Sequence, residues 1–349
     1  MVNSKKRLPG LDLIRIVASI FICTYHFGVE CLTAGIAVPP QLISVGVMNF
    51  GEIGVWLFFL LSGSALSWQW RDKWNLKDYI SRRITGIFPM FWVGFFALFL
   101  YGEVLHGNNA TLPKWRLIFS VIGLDGYLLP LIDTFYKIGE WYLGCIIIIY
   151  IIFPLIRYML QTKKRAIICS VTMGVLWLVW GYICPLPFTA QHTVLGCLPL
   201  FFIGVLWGKF YSKQTDIILF LLGGVGFIFS FLAQPFKIFP SYFCGAFLSI
   251  VIFFILLKLG NLLPTAVANV LKVIQKQCYG VFLVHHVTLI LVIIPLMKRF
   301  ALPNFVWWTG FILLSFCLAI CLYFVSLPLT KGLKWLFDKI GRKSPANII

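Results

Sequence analysis

The chain has 349 residues, of which 60% are hydrophobic and 11% are charged, and its mean hydropathy is +0.95. Soluble domains carry about 25% charged residues, so this composition excludes an ordinary water-soluble globular protein. The formal net charge is +18. In a soluble protein such a charge would indicate nucleic-acid binding, but its distribution around the apolar runs argues against that interpretation here.

The apolar runs predict an all-α polytopic membrane protein with about ten transmembrane helices, since one span needs about 17–25 mostly apolar residues. The predicted spans are residues 11–29, 53–69, 84–101, 139–157, 166–183, 193–210, 217–234, 240–258, 279–297 and 305–330. Residues 116–132 are also apolar, but glycine, aspartate and proline residues interrupt them. We therefore expect an interfacial or re-entrant element there and not a further span.

The positions of lysine and arginine predict the orientation of these spans. With the spans above, 22 of the 29 basic residues lie on the N-terminal side of the membrane and six lie on the opposite side. By the positive-inside rule both termini are predicted to be cytoplasmic, and the basic excess is expected to contact anionic membrane lipids, with no nucleic-acid partner. The whole chain, 1–349, is predicted to be one multi-pass domain of the cell membrane that ends in a short basic cytoplasmic tail over 331–349.

The first span carries two ionisable side chains, Arg15 and His26, eleven residues apart. Eleven helical residues make roughly three turns and rise about 16 Å, so both side chains lie on one face of the helix. Either residue alone fits an ordinary role, with Arg15 reaching towards the headgroups and His26 bonding to a neighbouring helix. Because ionisable groups in a bilayer usually face a protein interior or a watery cavity, the pair together indicates a polar path through the helices.

The second span contains Ser62 and Gly63, and Arg82 and Arg83 precede the third span. Small residues such as serine and glycine most often allow two helices to approach closely. Paired arginines at a cytoplasmic helix start usually fix topology and contact lipid. Their geometry also suits the phosphates of a soluble anionic cofactor.

The fourth span begins with Glu140, Trp141 and Tyr142, and the ninth contains His285 and His286. The two aromatic residues fit the aromatic belt of a membrane protein. Glu140 is an acid at an outer helix end, where it could pair with an imidazole. Adjacent histidines point in different directions on a helix, so we expect at most one of them to face a site.

Taken in order, these stretches resemble the acyltransferase-3 family of membrane acyltransferases over about residues 8–330. The matching residues are Arg15 and His26; Phe58, Phe59, Ser62 and Gly63; Arg82, Arg83 and Pro89; Trp141, Leu143, Tyr150 and Pro154; and Tyr279, Gly280, Leu283 and His285. The resemblance implies a ten-helix domain that uses cytoplasmic acyl-CoA to acylate an extracytoplasmic acceptor, often a sugar hydroxyl of a cell-surface glycan. Gly86 stands where many members have another arginine, and Ile146 stands where members with a soluble esterase-like domain often have glutamate. The chain looks closer to the standalone branch, which lacks that domain and modifies polysaccharides or their lipid-linked precursors.

The residues and the resemblance together predict an integral membrane O-acyltransferase, and among such enzymes they favour an O-acetyltransferase. Acyl-CoA, with acetyl-CoA foremost, is the expected co-substrate, and neither a permanently bound cofactor nor a metal is expected. The acceptor is expected to be a glycan or a lipid-linked sugar.

Each candidate residue has an expected role in that reaction. His26 is the candidate general base or transient acyl carrier, because histidine has a suitable pKa and can also act as a nucleophile. The supporting candidates are Arg15, Glu140 and His285 for catalysis, Arg82, Arg83, Ser62 and Gly63 for donor binding, and Trp141 and Tyr142 for acceptor binding. The alternative is a transporter or flippase of lipid-linked sugars, which also places polar groups inside a helix bundle. A transporter of anions should show charged or broken helices paired between two halves of the chain, and this sequence shows none.

Overall fold

The computed structural model describes residues 7–46, 48–106, 111–187 and 189–342, and most of these residues are helical. The longer helices are α1 (Pro9–Thr33), α2 (Phe50–Gln69), α3 (Leu76–His106), α6 (Glu140–Met159), α7 (Lys163–Ile183), α8 (Val194–Lys209), α9 (Lys213–Leu232), α10 (Tyr242–Leu262), α11 (Thr265–Ile274), α12 (Cys278–Thr288) and α14 (Asn304–Arg342). The short ones are α4 (Leu117–Val121), α5 (Asp125–Leu128) and α13 (Ile294–Met297). The strands β1 (Ser44–Val45) and β2 (Met48–Asn49) pair antiparallel just before α2.

Within the described residues, nine helical segments are long and apolar enough to cross a membrane. The segment Thr265–Met297, which joins α11, α12 and α13, counts as one of them. The prediction of an all-α polytopic membrane protein is thereby confirmed. The predicted span 193–210 is present as α8, but its 16 residues rise only about 24 Å, less than the roughly 30 Å of a hydrocarbon core. The cytoplasmic location of the termini stays a prediction.

Several helices begin at residues that satisfy the free N–H groups of a first turn. Pro9 opens α1, where its missing N–H costs no hydrogen bond. Four further helices carry side-chain caps, in which the residue before the helix accepts a hydrogen bond from a backbone N–H three residues later: Asn49 for α2, Thr162 for α7, Thr193 for α8 and Ser212 for α9.

Helix α2 lies at the centre of the molecule, packed against α1, α8 and α10. A Cβ atom at Gly63 would lie 2.0 Å from the backbone oxygen of Phe201, and one at Gly204 would lie 2.1 Å from that of Leu60. Glycine is therefore what lets α2 and α8 touch backbone to backbone. This contact explains why the short α8 is almost wholly buried by protein.

The C-terminal part of the chain closes around the first helix. Helix α12 packs against α14, α3 and α1, which turns its histidines towards α1. Immediately after α12, residues Leu289–Ile293 form a single π-helical turn, a feature frequent at functional sites. Helices α7 and α9 bury little of their surface in the protein, as expected of helices that face lipid.

The segment 116–132 holds only the short helices α4 and α5, separated by Gly123. It lies against the helices, with the Trp92 indole N–H donating to the backbone oxygen of Val121 (2.7 Å). The prediction that it is not a further span is confirmed. Its depth in the bilayer stays a prediction.

Candidate active site

Four ionisable side chains from three helices converge on one point. His26 comes from α1, Glu140 from the first turn of α6, and His285 and His286 from α12. The Glu140 carboxylate lies 3.4 Å from Nε2 of His26 and 3.2 Å from Nε2 of each of the other two histidines. We call these four residues the histidine cluster. It unites ionisable residues of the predicted first, fourth and ninth spans.

An unusual backbone conformation holds Glu140 in the histidine cluster. Gly139 has φ +96° and Glu140 itself has φ +42°, both in the left-handed region. Glycine adopts that region freely, whereas other L residues avoid it, so Glu140 is a strained residue of the kind found at functional sites. This turn at the start of α6 directs the carboxylate between α1 and α12.

His285 is fully buried and its protonation pattern follows from its neighbours. Its Nδ1 lies 2.8 Å from the backbone oxygen of Phe282. Since a carbonyl oxygen only accepts, Nδ1 carries the proton and Nε2 of a neutral ring presents a lone pair to Glu140. Neither that Nε2 nor Oε1 of Glu140 has a hydrogen-bond partner, although both are buried.

The expectation that at most one of the adjacent histidines faces the site is wrong. Nε2 of each ring lies 3.2 Å from Oε1 of Glu140. The ring of His286 also stacks edge-on against that of His26, with centroids 4.2 Å apart.

Glu30 is a further member of this region that the sequence reasoning missed. Its carboxylate lies 3.5 Å from Nδ1 of His286. Glu30 follows His26 by four residues on α1 and therefore lies on the same helix face. This four-residue spacing from His26 is the feature of the sequence that points to Glu30.

A cavity of about 460 Å³ opens onto the histidine cluster from the loops before α6 and α8. We call it the vestibule. Its lining includes Glu140, Trp141, His286 and two residues that the sequence did not single out, Tyr136 and His192. The Trp141 and His192 rings lie 4.5 Å apart, and burial lowers the pKa of His192 below its ordinary value.

Tyr142, by contrast, is not part of the vestibule lining. Its ring packs against Phe59 and Phe282, with centroids 5.0 and 5.4 Å away. Of the two aromatic residues proposed to contact an acceptor, the structure therefore places Trp141 at the vestibule and Tyr142 in the packed interior.

Arg82 and Arg83 line a separate cavity of about 550 Å³ between the start of α3 and the end of α14. We call it the basic pocket. Lys334 adds a third cation, while Asp78 and Asp338 bring negative charge. Arg82 is exposed, and Nε of the half-buried Arg83 is enclosed without a hydrogen-bond partner. The basic pocket can thus offer donors to an anionic ligand.

The remaining candidates lie elsewhere. Arg15 donates a hydrogen bond to the side chain of Gln275, which joins α11 to α12. It shares α1 with His26 but lies about 16 Å away along the helix, so it does not touch the cluster. Ser62 is half-buried on α2, and Gly63 is buried against α8. The close contact between α2 and α8 explains the glycine at position 63 by packing.

Comparison with known proteins gives this geometry a context. "Acyltransferase MdmB" of Streptomyces mycarofaciens is 30% identical over 155 residues, which cover 43% of this chain and 39% of that protein. "Putative acetyltransferase ORF330" of Acidianus two-tailed virus is 22% identical over 205 residues, covering 57% and 56% of the two chains. The chain thus spans less than two thirds of the length of either relative.

No solved structure matches the chain. A family model described as an acyltransferase domain, acyltransferase 3, matches residues 8–324. That region contains α1 to α13, most of α14 and all four residues of the histidine cluster. The chain therefore belongs to the acyltransferase-3 family.

Proposed function

We propose that this protein is an integral membrane O-acyltransferase that moves an acyl group from acyl-CoA to a hydroxyl of a surface glycan or its lipid-linked precursor. The observation that carries the proposal is the pairing of His26 with Glu140 inside a cluster that opens to the vestibule. The names of the two relatives support acyl transfer in general, and one of them supports acetyl as the group.

His26 performs the central proton transfer in this proposal. With its Nε2–H directed at the Glu140 carboxylate, 3.4 Å away, the ring keeps a lone pair on Nδ1. That nitrogen removes the proton from the acceptor hydroxyl as the oxygen attacks the thioester carbonyl. A C–O bond forms, the C–S bond breaks, and the proton passes from His26 to the departing thiolate. Glu140 stabilises the imidazolium that exists between the two transfers.

The same groups also allow a two-step route. In that route Nδ1 of His26 attacks the thioester carbonyl and the C–S bond breaks, and CoA leaves as the thiol with the ring's Nε2 proton, relayed by Glu140. The acceptor hydroxyl then attacks the acyl-imidazole, the C–N bond breaks, and the hydroxyl proton returns to the ring. Incubation of the purified protein with acyl-CoA alone, followed by mass spectrometry of the peptide that contains His26, separates the routes. An added acyl mass supports the carrier, and its absence at full activity supports the general base.

The basic pocket supplies the proposed donor site. Arg82, Arg83 and Lys334 surround it, and arginine suits the bidentate recognition of phosphate. CoA brings several phosphate charges to such a surface. Arg15, about 16 Å from His26 along the same helix, is the candidate to orient the phosphate-bearing CoA part of the donor.

The vestibule supplies the proposed acceptor site. Trp141 and Tyr136 offer aromatic faces, and His192 donates or accepts hydrogen bonds beside them. Mostly apolar walls with a few placed polar groups are what small-molecule sites use for orientation. A sugar ring, with apolar faces and a polar rim, matches this lining.

The experiment that tests the function is the substitution His26→Ala. Loss of a general base costs about 10²–10⁴ in rate, so ester-linked acyl groups on the surface glycans should fall below detection while the protein is inserted at normal abundance. His106→Ala serves as the matched control, since it removes a histidine at the end of α3. Normal acylation in the His26→Ala strain would remove His26 from the mechanism.

A further inference from the structure

We propose that the histidine cluster reversibly binds one divalent transition-metal ion of the zinc class. The ligands are Nε2 of His26, His285 and His286 and the carboxylate of Glu140. The binding site itself does not depend on the function proposed above. Only the consequence for acyl transfer, described below, rests on that function.

The spacing of the ligand atoms fits such an ion. All four lie within 4.8 Å of one another. The three distances from the carboxylate to the imidazole nitrogens are 3.2, 3.2 and 3.4 Å. A tetrahedral zinc ion with bonds of about 2.0–2.1 Å separates its ligand atoms by about 3.3 Å. To close a tetrahedral shell, the ligand atoms that lie farthest apart must approach each other by up to about 1.5 Å.

The hydrogen-bond pattern leaves a place for a cation. Nε2 of neutral His285 and Oε1 of Glu140 both present lone pairs, they lie 3.2 Å apart, and neither has a hydrogen-bond partner. Two facing acceptors repel each other unless a positive charge lies between them. A metal ion satisfies both atoms at once, and imidazole and carboxylate are ligands that zinc accepts.

Residues behind the ligands hold them in the orientation that a metal needs. The backbone oxygen of Phe282 accepts from Nδ1 of His285, and the Glu30 carboxylate lies beside Nδ1 of His286. Metal-binding histidines usually donate their second N–H to a carbonyl or carboxylate in this way. The vestibule, which reaches Glu140 and His286, provides a route of entry from solvent.

Bound metal would stop the proposed acyl transfer. When Nε2 of neutral His26 bonds the ion, its ring proton must be on Nδ1. The lone pair that accepts the proton of the hydroxyl is then gone. The metal thus acts as a reversible inhibitor that competes with catalysis for the same side chains.

The test uses the full chain, purified in lipid nanodiscs and freed of metal with a chelator. Zinc is titrated against a chromogenic zinc indicator without donor or acceptor, and we expect one ion per chain. His286→Gln removes a ligand, and we expect at least tenfold weaker binding. Glu30→Gln removes an outer contact, and we expect a loss of about 10–100-fold. The control His106→Gln should bind like the wild type. Sub-stoichiometric uptake, or equal affinity in all four proteins, would overturn the site.

Two further measurements separate folding and function from binding. Zinc should raise the midpoint of thermal unfolding of the wild type more than that of His286→Gln, because a ligand of the folded state stabilises it. No shift in the wild type would count against the site. Zinc should also inhibit transfer, with recovery on addition of chelator. Stoichiometric binding without inhibition would preserve the site and contradict the role of His26 as base.

Discussion

Gly139 decides where the Glu140 carboxylate points. Its φ of +96° is open to glycine, and a Cβ atom there would lie 2.7 Å from Cδ2 of Leu143. We expect Gly139→Ala to destabilise the protein by at least about 1 kcal/mol, since the left-handed region costs an L residue about 1–2 kcal/mol. Transfer should fall as well, because Glu140 is displaced.

Thermal unfolding and an acylation assay measure these two effects. Gly224→Ala is the matched control: a Cβ atom at that helical position meets nothing within 4 Å. It should leave stability unchanged or raise it, since alanine favours helix over glycine. Equal behaviour of the two variants would contradict the role assigned to Gly139.

Asp125, at the start of α5, is 1% exposed, and its Oδ2 is buried without a hydrogen-bond partner. Burial raises its pKa from an ordinary 3.8 to about 6. The folded state therefore favours the neutral acid. Protonated Asp125 stabilises the folded state relative to the ionised form, and this stabilisation is complete below pH 4 and is lost as the pH rises through about 6.

We expect Asp125→Asn to remove this loss, because the amide stays neutral. Relative to the wild type, the variant should gain about 1–1.5 kcal/mol of stability between pH 5 and pH 8, because part of the effect is already present at pH 5. Thermal unfolding of both proteins at the two pH values measures it. A difference between the proteins that does not change with pH would show that Asp125 is ionised in the folded state.

Local spacing predicts some members of the cluster and not others. The separation of eleven positions between Arg15 and His26 fixes their common helix face, and Glu140 and His285 stand out as ionisable residues of apolar segments. The participation of His286 depends on the position of the Glu140 carboxylate from α6, which is set by tertiary packing and not by local sequence. The left-handed turn at Gly139 and Glu140 has no signature in the sequence beyond a single glycine.

At the level of elements, the basic pocket joins the start of α3 to the end of α14. Neutralising two arginines there should weaken donor binding. A charge-assisted hydrogen bond contributes about 1.5–3 kcal/mol, so Arg82→Gln with Arg83→Gln should raise the KM for acyl-CoA at least tenfold. The maximal rate should fall less, because uniform binding affects KM and not kcat.

Steady-state kinetics on purified protein with varied acyl-CoA measures this change. Lys163→Gln with Lys164→Gln, at the start of α7, removes the same charge outside the basic pocket and should leave KM unchanged. If both double variants have the KM of the wild type, the arginines serve orientation in the membrane and not the donor.

The helices themselves were largely predictable because apolar length is a local property. Nine of the ten predicted spans have counterparts that meet the length and composition of a membrane span. The sixth predicted span is different, because α8 ends after 16 residues. It is stabilised by α2, which packs against it through the contact at Gly63. Hydropathy gives the apolar character of such a helix, whereas only its neighbours explain how so short a helix is accommodated.

For the whole molecule, the 22-to-6 division of basic residues predicts which loops face the cytoplasm. We expect a cysteine introduced at Leu186, in the loop after α7, to react with an impermeant thiol reagent added outside intact cells. One introduced at Lys164, at the other end of that helix, should react only after the cells are opened. The same charge division predicts labelling of residues 107–110 from outside and protection of residues 73–77; the first range lies outside the described residues and the second is described.

The wild-type chain, with its ten native cysteines, gives the background labelling. Reaction of Lys164→Cys from outside would show that the predicted orientation is wrong. The basic pocket could then not be assigned to a cytoplasmic donor.

The last helix is longer than the membrane it crosses. The 39 residues of α14 extend about 58 Å, against about 40–45 Å for a bilayer with its headgroups. Its far end carries Lys334 and Asp338 to the rim of the basic pocket. A helix answers a change in hydrocarbon thickness by tilting. Because α14 also forms one wall of the pocket, we expect the width of that pocket to vary with the thickness of the surrounding lipid, so that the proposed donor would be held differently in thin and thick membranes.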